Sequence, residues 1–108
     1  MNSPALHAPD EELTRLRGQI DSLDQQLVEV LAKRFRVTEA VSALKAAHGL
    51  SAADPDRESK QEARLQKLAV EHMVNPQVVT SIFRSVVEEV VSNHKAYAAQ
   101  RTSHQLKS

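Results

Sequence analysis

The sequence is poor in the residues that form covalent cross-links, tight turns and large aromatic cores. Its 108 residues include no Cys, two Gly, four Pro, one Tyr and two Phe. The absence of Cys rules out disulfides and thiolate metal sites, and it leaves the redox compartment open. Because Gly and Pro are scarce, turns should be few, and the apolar content is mostly Ala, Val and Leu. A chain this short buries only a modest fraction of its surface alone, so we expect it to form oligomers.

An excess of charge of either sign is also lacking. Lys and Arg number 14 and Asp and Glu number 14, so the formal net charge is zero. Because nucleic-acid binders usually carry a basic excess, nucleic acid is not expected as a partner. No apolar run approaches the roughly 20 residues needed to span a bilayer, and MNSPALHAPDEE lacks the cationic and apolar segments of a secretory signal. We therefore expect no membrane partner and a soluble, cytoplasmic protein.

The longest periodic segment predicts a helix from about Asp10 to about Ala47. Its apolar positions follow steps of three and four residues if Arg34 fills the gap between Val30 and Val37; they are Leu13, Leu16, Ile20, Leu23, Leu27, Val30, Val37, Val41 and Leu44. This heptad spacing is typical of a helix that packs against another helix. At 1.5 Å per residue the helix would be about 57 Å long, whereas a small domain is about 30 Å across. A second copy of the chain is the simplest partner for such a helix.

Two further helices are predicted from their start and stop signals. Gly49 ends the first helix, and Asp54, as N-cap with Pro after it, opens a second helix that runs to about His72. Asn75, again followed by Pro, opens a third helix that ends near Tyr97. The third helix is rich in Val, but its apolar spacing of three and four residues favours a helix over a strand.

The predicted fold is all-α, with three helices per chain and one very long N-terminal helix, in an intertwined helical homodimer. Residues 1–9 and 99–108 are polar and lack periodicity, so we predict flexible tails at both ends. The domain itself should occupy residues 10–98.

Two cations interrupt the apolar stripe of the first helix. Arg34 occupies a stripe position, and a buried guanidinium is costly unless it is paired, so it either reaches the surface, pairs with a nearby Glu or meets a ligand. Lys45 lies eleven residues on, within about 20° of Arg34 and about 16 Å along the same face. Two cations on one stripe suggest an anionic ligand. Arg17 lies about 25 Å from Arg34 and about 100° around the axis, but it could approach the middle of an antiparallel partner helix.

The remaining polar candidates are weaker by themselves. Arg57 and Glu58 follow the Asp54 cap, where acidic residues commonly complement the helix dipole. His94 falls about 20° from Phe83 on the apolar stripe of the third helix, and a lone His in such a position is more often structural than functional. The chain contains no G-x-S-x-G, P-loop or H-E-x-x-H motif. Its five His lack ligand spacing, so no metal site is predicted.

Taken in order, these residues match a known pattern. It consists of Leu16-Arg17-x-x-Ile20-Asp21-x-x-Asp24, then Arg34, Lys45 and Asp54-x-x-Arg57-Glu58. The pattern resembles the all-helical chorismate mutases over about residues 11–97. The resemblance implies a monofunctional isomerase that converts chorismate to prephenate by a 3,3-sigmatropic rearrangement in aromatic amino-acid biosynthesis. It also implies that the reaction needs no cofactor and no metal.

The resemblance assigns the cations to the dianionic substrate. Arg17 of the partner chain and Arg34 should each clamp a carboxylate, for which the planar guanidinium is suited. Lys45 should donate to the ether oxygen and to a carboxylate. Holding the substrate in its folded conformation supplies part of the rate enhancement. Stabilising the charge that grows on the ether oxygen supplies the rest.

The resemblance also implies roles for residues of the second and third helices. Glu58 should accept a hydrogen bond from the ring hydroxyl, with the backbone near Asp54 close by and Arg57 supporting the cluster. Two positions depart from the best-known family pattern, which has Ser where this chain has Val90 and Gln or Glu where it has His94. Val90 removes a donor to a substrate carboxylate. His94 keeps a possible donor to the ether oxygen that depends on its protonation and tautomer, and we predict that it acts with Lys45.

Two other readings stay open at this point. An isochorismate pyruvate lyase or an aminodeoxychorismate mutase of the same fold would bind a similar dianion. The loop length and the Asp54 to Glu58 cluster favour chorismate mutase, whereas Val90 and His94 keep the aminodeoxy substrate open. A non-catalytic helical dimerisation module would explain the heptads but not the alignment of Arg34 with Lys45.

Overall fold

The computed structural model describes residues 4–107, and the side chains of residues 8–100 within them. It contains three helices in the order α1 (Pro4–Ala47), α2 (Pro55–Glu71) and α3 (Pro76–Lys107), and no strand among the residues described. The predicted all-α fold with a very long N-terminal helix is confirmed. Over the same residues, no helix is both long and apolar enough to cross a membrane.

Two helix ends differ from their predicted positions. Helix α1 begins at Pro4 rather than Asp10, and α3 continues to Lys107 rather than ending near Tyr97. Residues 98–107 contain neither Gly nor Pro, so nothing in their backbone chemistry stops the helix. Parts of the two predicted tails, residues 1–3 and 108, lie outside the described residues. That the tails are flexible stays a prediction.

Side-chain caps fix the starts of the two shorter helices, as the sequence predicts. Asp54 accepts a hydrogen bond through Oδ1 from the N–H of Arg57 at 3.1 Å. Its carbonyl oxygen accepts one from the N–H of Glu58 at 3.0 Å. The Oδ1 atom of Asn75 likewise accepts from the N–H of Gln77 at 3.0 Å. Each cap satisfies a backbone donor that the helix leaves without a partner.

The C-terminus of α1 closes in a Schellman motif. Gly49 has a φ of 65°, the left-handed conformation that a residue without a Cβ adopts readily. The N–H of Leu50 donates to the carbonyl of Lys45 at 2.8 Å, and the N–H of Gly49 donates to that of Ala46 at 3.3 Å. Both bonds satisfy carbonyls at the helix end. The Schellman motif therefore fixes the last turn of α1, which carries Lys45.

The chain divides into two compact units, residues 1–35 and residues 36–108, and α1 contributes to both. In the first unit every described residue from 8 to 30 is exposed. Its apolar stripe is 41–60% exposed and comprises Leu13, Leu16, Ile20, Leu23, Leu27 and Val30. The predicted heptad face thus exists as a continuous exposed apolar surface on one helix, which is typical of a helix that packs against a partner.

The second unit has a small core. The end of α1, α2 and α3 each contribute buried apolar residues, and these are Ala46, Leu65, Ala69 and Val86. Two buried polar residues accompany them, Ser42 of α1 and His94 of α3. Buried polar groups require hydrogen-bond partners. Ser42 and His94 are therefore the first residues of the core to consider as part of a functional site.

Candidate active site

Side-chain hydrogen bonds join α1 to α3 in the second unit. Ser42 and His94 are 1% and 6% exposed, and the Ser42 Oγ is hydrogen-bonded to the Nδ1 of His94. About one turn further on, the Oη of Tyr97 donates to the Oε1 of Glu39 at 2.6 Å. This bond raises the pKa of Tyr97 above its ordinary value. The hydrogen bond to Ser42 thus orients His94 through its Nδ1 atom. The Nε2 atom is left for a different partner.

Lys45 provides a positive charge close to His94. It is half-buried in the last turn of α1, three residues after Ser42. Burial of the imidazole, and after it the charge of Lys45, lowers the pKa of His94 below its usual value near 6.5. Both effects disfavour the imidazolium. The buried imidazole beside an ammonium group is therefore neutral at neutral pH in the absence of an anion.

A cavity of about 660 Å³ is lined by α2 and α3 in the same unit. Its apolar wall consists of Leu65, Phe83, Val87 and Val91. Charges of both signs surround this wall, from Glu58, Glu62, Arg84, Glu88 and Lys95. The volume falls within the range of small-molecule sites, and an apolar wall with a few polar groups is their usual lining.

The cavity and His94 occupy the same side of α3. Val87 precedes His94 by seven residues, which places the two side chains about 20° apart around the helix axis. Val90, half-buried, lies one turn before His94. His94 thus lies close in angle to one residue of the cavity wall, although neither His94 nor Lys45 lines the cavity itself.

The predicted site residues fall into both units. Lys45, Asp54, Arg57, Glu58, Val90 and His94 belong to the second unit, whereas Arg17 and Arg34 belong to the first. Glu58 lines the cavity, while the carboxylate of Asp54 caps α2. In the first unit Arg17 is exposed and Arg34 is half-buried. Within residues 8–100, no group of three or more carboxylate and imidazole side chains is arranged to hold a metal ion.

Sequence reasoning missed Ser42 and four of the charged residues that surround the cavity, which are Glu62, Arg84, Glu88 and Lys95. A Ser inside a helix commonly bonds to the carbonyl four residues earlier, so its type and position carry no functional signal. Its partner His94 is 52 residues away in the chain. The one available hint is that Ser42 lies three residues before Lys45, on the flank of the cationic stripe.

Comparison with known families identifies the fold. The profile of the chorismate mutase type II family matches residues 16–95, which contain all of the predicted site residues. The chain belongs to this family. The predicted resemblance to all-helical chorismate mutases is confirmed, and the chain carries a chorismate mutase domain, which is an intramolecular isomerase.

Individual relatives agree with the family assignment. The chain is 38% identical over 78 residues to the T-protein of Enterobacter agglomerans, covering 72% of this chain but only 21% of that protein. It is 30% identical over 87 residues to the chorismate mutase of Methanocaldococcus jannaschii, covering 81% of this chain and 88% of that protein. It is also 25% identical over 79 residues to the 4-amino-4-deoxychorismate mutase of Streptomyces venezuelae, covering 73% and 77%. The chain thus spans about a fifth of the T-protein and most of the Methanocaldococcus jannaschii protein.

Proposed function

We propose that this chorismate mutase domain converts chorismate to prephenate as a homodimer, for the synthesis of aromatic amino acids in the cytoplasm. The observation that carries the proposal is the position of Lys45 in the last turn of α1, half-buried and close enough to the buried His94 to lower its pKa, in the unit that also contains the cavity. The rearrangement requires a folded dianion and a donor for the negative charge that grows on the ether oxygen. A half-buried lysine beside a buried imidazole can supply that donor.

The second unit offers partners for the rest of the substrate. Lys45 donates to the ether oxygen and to one carboxylate. Glu58, which lines the cavity, accepts from the ring hydroxyl, and Arg57 supports it from the preceding position. Asp54 contributes by fixing the first turn of α2 through its cap. Val90 gives an apolar contact where a hydroxyl donor would otherwise contact a carboxylate.

Arginines of the first unit supply the carboxylate clamps. Arg34 binds one carboxylate of the substrate, and Arg17 of the other subunit binds the second. Arg17 follows Leu13 by four residues and precedes Ile20 by three, so it borders the exposed apolar stripe of α1. A second copy packed on this stripe therefore meets Arg17 at the edge of the interface.

An assay with purified protein tests the proposal. Loss of chorismate, followed by its absorbance, should exceed the buffer rate, and prephenate should appear in equal amount. Lys45→Gln, which keeps a polar side chain one atom shorter and removes the charge, should abolish most of the activity. Isochorismate and 4-amino-4-deoxychorismate are assayed in parallel. Faster turnover of either compound would identify it, rather than chorismate, as the substrate. Folded dimer with no activity on chorismate contradicts the proposal.

A further inference from the structure

Ser42 has one hydroxyl hydrogen and two hydrogen-bond partners. Its Oγ lies 3.0 Å from the carbonyl oxygen of Thr38, in the geometry of a donated bond. The same Oγ is hydrogen-bonded to the Nδ1 of His94. Since a hydroxyl donates once and accepts through its lone pairs, only one of these partners receives the hydrogen. The identity of that partner decides which nitrogen of His94 is protonated.

The carbonyl of Thr38 is the better recipient. A carbonyl oxygen can only accept, so a hydroxyl that turned its hydrogen to His94 would leave two acceptor oxygens 3.0 Å apart in a buried site, an arrangement that costs free energy. With the hydrogen directed to Thr38, the Ser42 Oγ accepts from the N–H at Nδ1 of His94. Each hydrogen in the chain from the Nδ1 of His94 through Ser42 to Thr38 is then directed at an acceptor, and consecutive hydrogen bonds of this kind strengthen one another.

We propose, on the basis of the proposed function, that Ser42 is a positioning residue that holds neutral His94 with its proton on Nδ1. In this tautomer Nε2 carries a lone pair and cannot donate to the ether oxygen of the substrate. His94 assists the rearrangement only as the imidazolium, whose second N–H is on Nε2. The rate should therefore increase as the pH falls and His94 takes up a proton.

The charged groups around His94 determine the pH at which this increase in rate begins. On α1, Lys45 opposes protonation, while Glu39 is engaged by the hydroxyl of Tyr97. The charged groups of α2 and α3 that line the cavity are Glu58, Glu62, Arg84, Glu88 and Lys95. In the free protein the pKa of His94 is lowered by burial and by Lys45. The two carboxylates of a bound substrate raise it again, because an anion favours the imidazolium.

The tautomer is measured directly by NMR of protein labelled with ¹⁵N in its histidines. The His94 resonances are assigned by their loss in His94→Gln. At a pH above the titration, Nδ1 should show the shift of a protonated nitrogen and Nε2 that of an unprotonated one. Ser42→Ala should move the proton toward Nε2, and Ser42→Thr, which keeps the hydroxyl, should not. Protonated Nε2 in the neutral unmodified protein overturns the proposal.

The pH profile of kcat/KM tests the consequence for catalysis. In the unmodified enzyme kcat/KM should fall about tenfold per pH unit above the pKa of His94, as expected when one protonated group is required. His94→Gln, whose amide donates at every pH, should lose this dependence, and Ser42→Ala should weaken it relative to Ser42→Thr. A profile as flat as that of His94→Gln overturns the proposal. Absence of activity at every pH contradicts the proposed function instead, and the NMR measurement still decides the role of Ser42.

Discussion

The imidazole of His94 is hydrogen-bonded through one nitrogen to the hydroxyl of Ser42, and the ammonium group of Lys45 opposes its protonation. At the scale of single residues, this arrangement makes His94 and Lys45 a pair, with one cation always present and a second that appears on protonation. An arrangement of this kind suits a reaction in which negative charge grows on one oxygen atom.

Replacing His94 with Ala should lower kcat/KM on chorismate by about tenfold or more at acidic pH, because a single donor to a developing oxyanion contributes at least this much. Initial rates of the purified variant measure the effect. His72→Ala is the matched control, since His72 is exposed and caps α2 through its backbone N–H. Equal rates for His94→Ala and the unmodified enzyme would exclude His94 from the mechanism.

Arg34→Lys should reduce kcat/KM by about a hundredfold, because the ammonium group cannot reproduce the two parallel bonds of a guanidinium and a misplaced substrate loses this much. The exposed Arg36→Lys, two residues away, should leave the rate unchanged. Steady-state kinetics on both variants provide the comparison. Full activity of Arg34→Lys would show that Arg34 is structural.

Burial of neutral His94 also makes the free energy of unfolding depend on pH. Because the pKa of His94 is lowered in the folded state, the unfolded chain binds the proton more readily. The contribution of His94 to the free energy of unfolding is therefore complete above the pKa that His94 has in the unfolded chain, near 6.5. It is lost as the pH falls through that value toward the pKa of His94 in the folded state. Urea denaturation across this range should show a steeper acid loss of stability for the unmodified protein than for His94→Gln. Parallel curves would contradict the shift.

At the residue scale the sequence predicted Lys45 and His94 as site residues, which stays a prediction, and it gave no signal for Ser42. Helical angles alone place His94 on the inward stripe of α3, and its burial agrees with that placement. The tautomer of His94 depends instead on a contact between two distant segments. No periodicity within one helix contains that information.

At the scale of elements, the two helix C-termini use the same motif with different residues. After α2, Met73 has a φ of 57°, and the N–H of Val74 donates to the carbonyl of Ala69 at 2.8 Å. A residue with a Cβ is strained in this left-handed conformation. The equivalent position after α1 is Gly49, which is not strained.

Met73→Gly should therefore raise the free energy of unfolding by about 1 kcal/mol, the usual cost of a left-handed non-Gly residue. Met73 is 93% exposed, so removal of its side chain should lose little packing. Gly49→Ala should change stability in the opposite direction by a similar amount, about 1 kcal/mol. Chemical denaturation of both variants measures the two effects, and a destabilised Met73→Gly would contradict the assignment of strain.

The starts of α2 and α3 were predictable because caps are local. Asp54 and Asn75 each act on a backbone N–H two or three residues ahead, so the sequence alone contains the whole interaction. The outer ends of α1 and α3 are not predictable in this way, since polarity and lack of periodicity indicate flexible tails. At the end of α3, a polar segment without Gly or Pro can nevertheless continue a helix that is already nucleated, whereas α1 includes Pro9 in its first turns.

At the scale of the whole molecule, the exposed stripe of α1 provides the argument for a second subunit. If Arg17 acts across the interface, mixing Arg17→Ala with Lys45→Ala subunits restores one complete site in each mixed dimer. Random exchange should then recover about a quarter of the unmodified activity, as follows for a two-fold symmetric dimer. Unfolding and refolding the two variants together, followed by the chorismate assay, measures the recovery.

The matched control mixes Arg34→Ala with Lys45→Ala subunits. Both of these residues are proposed to serve the same site from one chain, so every mixed dimer contains two defective sites and no recovery is expected. No recovery in the first mixture despite a dimeric mass would show that Arg17 does not act in the other subunit's site. Recovery in the control would show that Arg34 and Lys45 do not serve one site from the same chain.

The heptads predicted an apolar stripe that a single chain leaves exposed, because that property belongs to one helix. The cavity was not predictable in the same way. Its wall combines side chains of α2 and α3, and their register depends on how small residues such as Ala69 allow the helices to pack. Packing of this kind is set by side-chain volume across the interface and not by sequence spacing.

The connection between α1 and α2 follows a helix that terminates at Gly49 and precedes a helix that is capped by Asp54. Lys45 and Glu58 are consequently anchored from either side, and the intervening residues can be altered without displacing them. Because the chain has no thiol of its own, a cysteine in place of the exposed Ser51 offers a single attachment point for a fluorescent dye. Such a label would report on ligand entry from beside the site while leaving its chemistry untouched.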